Sequence, residues 1–140
     1  MTDSIETTSG VRFHATLWDE VPVEGSDLEA LPRLARVHAR NEYEGGITGS
    51  SILDYTFLYV SETFGTYVGF EQVTGAVDGR EGSFCLRHEG TFDMHGITLV
   101  VSVVEGSGTG ELSSLRGHGS LTAAHGEDGV PLVFSRYFVD

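Results

Sequence analysis

The residues best suited to chemistry are a glutamate and a histidine that fall within apolar, β-rich segments. His88 alternates with apolar residues such as Phe84 and therefore shares an inward strand face with them. Glu71 faces the same way in the preceding segment, and the turn at Asp78-Gly79 joins the two segments into a hairpin. A carboxylate beside an imidazole fixes the tautomer of the ring and raises its basicity. We predict a catalytic pair; the alternative is a buried pair whose members satisfy each other's hydrogen bonds.

Aromatic residues supply a candidate wall for a cavity around that pair. Tyr55 and Tyr59 lie four residues apart in a long aromatic segment and share one strand face. Trp18 stands where the first predicted strand meets a long loop, so it either rims the cavity or covers one end of the fold. A tyrosine in a cavity presents an apolar body and a polar tip, although ordinary packing would explain the same pattern. The predicted substrate-binding residues are Trp18, Tyr55, Tyr59, Tyr67 and Phe84.

Metal and cofactor sites are not indicated by the sequence. The six histidines include no His-x-His and no His-x-x-x-His pair, and Cys85 is the single cysteine. Neither a zinc-ligand spacing nor a disulfide framework is therefore present. The glycine-rich run Gly106–Gly110 lacks the lysine of a phosphate-binding loop. We predict a protein that needs no metal and no cofactor.

The charge balance disfavours whole classes of partner. The chain has 21 acidic residues, 8 basic residues and no lysine, which gives a formal net charge of −13. Nucleic acid and anionic membrane surfaces require clustered basic residues, so neither partner is expected. Residues 1–10 are polar and acidic, without the charged and apolar regions of a secretory signal. We predict a disordered tail over residues 1–10 and a cytoplasmic location.

Residues 11–140 predict one all-β domain. Segments rich in β-branched and aromatic residues alternate with glycine-containing turns about eight times. Two departures from this pattern are a long loop at Asp19–Leu34 and a short helical turn at Glu111–Leu115, which Thr109 is placed to cap. The predicted fold is a closed antiparallel up-and-down β-barrel of about eight strands with one short helical turn. A β-sandwich is the alternative.

Four stretches resemble a family of small bacterial proteins without an assigned function, which share the allene oxide cyclase-like, or dirigent-like, β-barrel. They are Thr16–Glu20, Val68–Gly75, Gly82–Phe92 and Gly106–Gly117. The Gly-Thr-Gly piece of the last stretch is also similar to a segment of allene oxide cyclases and dirigent proteins. The resemblance implies an eight-stranded up-and-down barrel with a cavity. It does not imply one activity, because that superfamily includes metal-free cyclases and isomerases beside proteins that steer reactive intermediates by shape.

Three functions fit these observations. The first is a cofactor-free isomerase or cyclase that holds an apolar substrate in the barrel cavity, where Glu71 and His88 anchor it or transfer protons. The second is a protein that binds an apolar small molecule without turnover. The third is a structural barrel with a filled interior, and outward apolar side chains also permit a homo-oligomer. The first is the preferred prediction, and that preference rests on the analogy of fold.

Overall fold

The computed structural model describes residues 5–8, 10–27, 29–127 and 129–139. These residues form ten β-strands and one 3₁₀ helix, so the predicted all-β class is confirmed. The strands are Glu6–Thr8 (β1), Arg12–Pro22 (β2), Arg33–Glu44 (β3), Ile47–Tyr59 (β4), Gly65–Val77 (β5), Arg80–Phe92 (β6), Gly96–Val103 (β7), Leu115–Ala124 (β8), Val130–Pro131 (β9) and Val133–Phe138 (β10). The 3₁₀ helix, Gly110–Leu112, lies between β7 and β8.

All strands pair antiparallel in one sheet, whose order is β1-β10-β8-β7-β6-β5-β4-β3-β2-β9. From β2 to β8, each strand pairs with the next one along the chain, as in an up-and-down meander. The order has two ends: β1 pairs with β10 through three residue pairs, and β9 pairs with β2 through two. The predicted closed barrel of about eight strands is therefore wrong, because the sheet is open and has ten strands.

Two short breaks in strand structure account for the two strands beyond the predicted eight. Gly10, in the left-handed region at φ 68°, separates β1 from β2, and Leu132 separates β9 from β10. The two breaks face each other, since the N–H of Leu132 donates to the carbonyl oxygen of Val11 at 2.9 Å. Beyond Phe13, the outer edge of β2 pairs with no strand in the described part of the chain. The sheet stays open along that edge.

Strand β1 lies within the predicted disordered tail of residues 1–10, so that prediction is wrong at Glu6–Thr8. Besides its ladder with β10, two side-chain contacts hold it. Arg136 donates to Glu6 at 3.0 Å, and Thr8 donates to Asp78 at 3.1 Å. Residues 1–4 and 9 lie outside the described residues. This segment is polar and acidic, so it lacks the alternating apolar residues that predict a strand. The strand that it pairs with also lies far along the chain.

The core lies on one face of the sheet, because buried and exposed residues alternate along the strands from β3 to β8. Leu112 and Leu115, three residues apart after β7, are both buried in this core. The helical turn is shorter than the predicted Glu111–Leu115, and Thr109 makes no side-chain capping bond. Its hydroxyl instead contacts the hydroxyl of Ser83 at 2.7 Å. That contact holds the loop after β7 against β6.

The predicted Asp19–Leu34 loop is shorter in the structure and covers residues 23–32. Its first residues belong to β2, and its last residues belong to β3. The acidic residues and prolines of this segment suggested a loop, but backbone pairing continues to the pair Pro22 and Ala35. Pro22 ends β2, a position where its missing N–H is tolerated. The remaining loop is held by Ser26, whose hydroxyl accepts the N–H of Leu34 at 3.0 Å.

A β-bulge at Thr16 decides which side chains of β2 face the interior. Ala15 and Leu17 pair with consecutive residues of β3, so Thr16 is an extra residue in β2. A bulge shifts the alternation of side chains by one residue. Trp18 and Glu20 therefore lie opposite the buried residues Ala39 and Val37 of β3, whereas Leu17, which uninterrupted alternation would turn inward, lies opposite the exposed Arg40.

Candidate functional site

An aromatic cavity of about 490 Å³ opens at one end of the sheet. The last residues of β2, β4 and β6 and the first residues of β5 and β7 surround it. Its lining residues are Trp18, Glu20, Tyr55, Phe57, Tyr59, Glu62, Thr63, Tyr67, Phe92, Asp93, Met94, Ile97 and His125. Small-molecule sites have volumes of roughly 300–1,000 Å³, so this space is large enough for a ligand.

Six aromatic rings form the wall of the cavity and pack against one another. Phe57 and Tyr67 stack with ring centroids 4.7 Å apart, and Tyr59 meets Phe92 edge-on at 5.1 Å. Trp18 meets Phe57 edge-on at 6.0 Å and remains 53% exposed at the mouth. Aromatic pairs in such geometries contribute about 0.5–1.5 kcal/mol each beyond the burial of their area. These contacts hold the rings of the wall against one another.

A hydrogen-bonded network of buried polar side chains lies behind this wall and is centred on Glu71. Its Oε2 atom accepts bonds from the hydroxyl groups of Tyr43 and Ser51, at 2.8 and 2.5 Å. Its Oε1 atom lies 2.8 Å from Nε2 of His88. On the other side of that ring, Nδ1 lies 2.8 Å from the hydroxyl of Tyr55. All five residues are at most 7% exposed.

One protonation pattern satisfies every member of the network. An ionised Glu71 accepts three bonds, and a neutral His88 with its proton on Nε2 donates one of them. Nδ1 of His88 then accepts the hydroxyl proton of Tyr55. This tautomer follows from the pattern of partners. No buried side-chain nitrogen or oxygen in the described residues lacks a hydrogen-bond partner.

Burial keeps the tyrosines of this region in the neutral form, which can donate a hydrogen bond. It raises the pKa of Tyr43 and the pKa of Tyr55 well above the usual range, and the nearby charge of Glu71 raises both further. Burial raises the pKa of Tyr67 to about 12. Burial, helped by the hydrogen bond to Glu20, raises the pKa of Tyr59 to about 12.

The structure brings the predicted catalytic pair together but not at the cavity surface. Glu71 and His88 are bonded and buried, and neither lines the cavity. Tyr55 connects the two regions, since it lines the cavity and contacts His88. Three other predicted residues line the cavity: Trp18, Tyr59 and Tyr67. Phe84 faces inward as its alternation predicts, but it does not line the cavity, because four residues of extended strand carry it about 13 Å beyond His88.

Sequence reasoning missed two groups of residues around this site. Tyr43 and Ser51 complete the bonds to Glu71, and their inward position in a strand is the only sequence signal for them. Three carboxylates at the cavity were also missed; they are Glu20, Glu62 and Asp93. They occur in segments predicted as loops and turns, where acidic residues are ordinary.

Cys85 lies on the opposite side of β6 from His88, as its alternation predicts. Its N–H donates to the hydroxyl of Ser107 at 3.0 Å, which places the loop after β7 over it. It is therefore separate from the cavity and from the Glu71 network. The described residues include no group of three His, Cys, Asp or Glu side chains placed to hold a metal ion.

Gly90 has no side chain, and the ring of Tyr67 occupies the space that a side chain would fill. A Cβ atom at this position would overlap the ring and the hydroxyl of Tyr67. We expect Gly90→Ala to lower the free energy of unfolding by about 1–3 kcal/mol, because Tyr67 must leave its packed position. Chemical denaturation measures this loss. The double variant Gly90→Ala/Tyr67→Ala should lose less than the sum of the two single losses, whereas additive losses would refute a clash between these residues.

A family model described as "Protein of unknown function (DUF3224)" matches residues 10–134. The chain belongs to the DUF3224 family. The matched range contains the whole Glu71 network and every residue that lines the cavity. The sequence resemblance to a family without an assigned function is thus confirmed, and the relation to allene oxide cyclases is outside what this match shows.

Among solved structures, this DUF3224 chain is similar to the crystal structure of a protein with unknown function from the DUF3224 family of Shewanella oneidensis MR-1. The two chains are 24% identical, and the alignment covers 99% of this chain and 98% of the other, with a TM-score of 0.77. That likeness shows a shared fold. A search of curated proteins gave no match. In the part of the chain that the structure describes, no helix has the length and apolar character needed to cross a membrane.

Proposed function

We propose that this DUF3224 protein binds an apolar small molecule in the aromatic cavity. The observation that carries the proposal is the cavity itself, in which six aromatic side chains surround about 490 Å³ of space. A ligand that covers these rings removes apolar area from water, at about 25 cal/mol for each Å². The proposal includes no cofactor and a cytoplasmic setting, in keeping with a chain that has a single cysteine.

Four sequence stretches resemble a bacterial family that shares the allene oxide cyclase-like, or dirigent-like, barrel, and this resemblance supports the proposal. That superfamily includes metal-free cyclases and isomerases, and proteins that steer reactive intermediates by shape. The stretch Thr16–Glu20 contributes Trp18 and Glu20 to the cavity, and Gly82–Phe92 contributes Phe92. Two of the four stretches therefore supply residues of the cavity wall.

A binding experiment with Trp18→Ala tests the proposal. N-phenyl-1-naphthylamine is a neutral aromatic probe whose fluorescence rises in apolar surroundings. We expect it to bind the wild-type protein with 1:1 stoichiometry, and Trp18→Ala to weaken the affinity about tenfold, which corresponds to about 1.4 kcal/mol. Phe70→Ala is the matched control, because Phe70 is 57% exposed and does not line the cavity. Absence of binding, or equal losses in the two variants, would overturn the proposal.

A second candidate function is proton transfer within the bound molecule, which would make the protein a cofactor-free isomerase or cyclase. The chain Glu71–His88–Tyr55 favours it, since it links a carboxylate, an imidazole and a phenol by bonds of 2.8 Å. Tyr55 would accept a proton from a ligand carbon while its own proton passes to Nδ1 of His88. Glu71 would stabilise the imidazolium that forms. The proton would return to another atom of the same ligand, so no cofactor is consumed.

Hydrogen exchange tests this second function without knowledge of the substrate. 2-Tetralone, a ketone with a fused benzene ring and acidic C–H groups beside the carbonyl, is incubated with the protein in D₂O and followed by NMR. We expect the wild-type protein to speed deuterium incorporation and Tyr55→Phe to abolish that effect while probe binding persists. Exchange at the same rate in wild type, Tyr55→Phe and buffer alone would exclude proton transfer and leave a binding protein.

A further inference from the structure

Negative charge surrounds the aromatic cavity. Glu20, Glu62 and Asp93 all line it, whereas no arginine does, and the chain has no lysine. Arg33 neutralises one of the three carboxylates, since its two terminal nitrogens lie 3.0 and 3.1 Å from the oxygens of Glu62. Three carboxylates and one guanidinium leave an excess of two negative charges beside the cavity.

The two other carboxylates form no direct ion pair in the described residues, although Glu20 interacts electrostatically with Arg33, and Asp93 with His95 and His125. Glu20 accepts the hydroxyl of Tyr59 through Oε2 at 2.8 Å. Asp93 accepts two backbone N–H groups of the following turn at 2.8 and 3.2 Å, and these bonds lower its pKa. His125, the remaining ionisable residue of the lining besides the tyrosines, donates from Nε2 to the backbone carbonyl of Asp93. Glu20 and Asp93 are thus available to attract a positive charge.

The aromatic wall suits a positive charge as well. The face of an aromatic ring carries negative electrostatic potential, and tryptophan attracts cations most strongly. Trp18 meets its neighbour Phe57 edge-on and is 53% exposed, which leaves ring surface open at the mouth. The bulge at Thr16 turns Trp18 and Glu20 to the same side of β2. One backbone irregularity therefore brings a carboxylate and an indole ring to the cavity together.

We propose that the ligand of this cavity is an amphipathic cation, an aromatic or alicyclic molecule with an amine group. This inference rests on the proposed binding function and adds the chemical class of the ligand. The apolar body lies against Phe57, Tyr67 and Phe92, and the ammonium group lies at the mouth between Trp18 and Glu20. The net charge of −13 over the whole chain strengthens the attraction at a distance.

Three probes that share one ring system and differ in charge test the inference. They are 2-naphthylmethylammonium, the neutral 2-naphthylmethanol and the anionic 2-naphthoate, each titrated against the protein by calorimetry or NMR. We expect the ammonium to bind about tenfold more tightly than the alcohol and the carboxylate to bind most weakly. Glu20→Gln should reduce the ratio of the ammonium affinity to the alcohol affinity from about tenfold to about threefold. Glu20 is exposed, so this variant should keep the wild-type stability.

Glu89→Gln is the matched control, because it removes the same charge from the outward face of β6. If Glu89→Gln reduces the preference as much as Glu20→Gln does, overall charge governs binding and the assigned site is wrong. If the alcohol binds as tightly as the ammonium, the cationic class is wrong but the proposed binding function stands. If no probe binds, both are wrong.

Discussion

Replacing Glu71 with alanine should lower the free energy of unfolding by about 3–5 kcal/mol, because buried donors lose the acceptor that satisfies them. The change leaves three buried donors, Tyr43, Ser51 and His88, without their acceptor. Each unsatisfied buried donor costs about 1–3 kcal/mol, since it has lost its bonds to water and gained none in return. Urea denaturation at neutral pH measures the loss.

Two further variants distinguish the stability that the network contributes from the general effect of removing a carboxylate. Glu71→Gln keeps the shape and can still bond to all three partners, because hydroxyl groups accept as well as donate. We expect it to cost about 1 kcal/mol, because neutral hydrogen bonds replace the stronger bonds to a charged carboxylate. Glu89→Ala, at an exposed position on β6, should change stability by no more than about 0.5 kcal/mol. A Glu71→Ala protein as stable as Glu89→Ala would show that the network adds nothing to the fold.

Alkaline pH should destabilise the fold by about 4 kcal/mol between about pH 8 and about pH 11. Tyr43, Tyr55 and Tyr67 have a pKa raised by burial, whereas an unfolded chain ionises its tyrosines near pH 10. The unfolded state therefore loses protons first, and stability falls as pH rises. The contribution of each tyrosine is present in full below about pH 10 and is lost as pH rises through the folded-state pKa. One pH unit above 10 costs about 1.4 kcal/mol for each residue.

The variants Tyr43→Phe and Tyr55→Phe isolate the contribution of these residues from the general repulsion of an acidic protein at high pH. Each loses some stability at neutral pH, because a hydrogen bond of the network disappears. Between about pH 8 and about pH 11, however, each should lose about 1.4 kcal/mol less than the wild-type protein. Denaturant titrations at both pH values provide the comparison. Equal losses in wild type and variants would contradict a raised pKa for these tyrosines.

Side-chain alternation was enough to predict the faces of the central strands. Glu71 and His88 were placed inward on neighbouring strands, and they form a direct bond. The prediction succeeded because β5 and β6 form a hairpin with a two-residue turn, in which local geometry determines the register. The same argument could not find Tyr43 and Ser51 as partners of Glu71, because their approach depends on the registers of two successive strand pairs, β3 with β4 and β4 with β5.

For β2, the alternation of side chains predicted the wrong face for the residues after Thr16. The error matters because β2 contributes residues to the cavity. The bulge at Thr16 reverses the facing of every residue after it, and nothing in the local sequence marks it. Leu17 looks like the inward residue, while Trp18 and Glu20 are the ones that line the cavity. A bulge is stabilised by the partner strand and by the packing of the side chains it turns inward, so it is a property of the assembled sheet.

The sequence by itself determined the all-β class, the inward faces of the central strands and the strongly negative charge. The class and the strand faces depend on the spacing of apolar residues along the chain, and the charge depends on composition. Both can be read without knowing which residues meet in the folded protein. Only the tertiary structure decided that the sheet has ten strands in an open order, and that the cavity lies beside the Glu71–His88 pair instead of around it. Those outcomes depend on pairings between residues far apart in the chain, such as β1 with β10 and β2 with β9. The free energy of such contacts arises only when the whole sheet assembles.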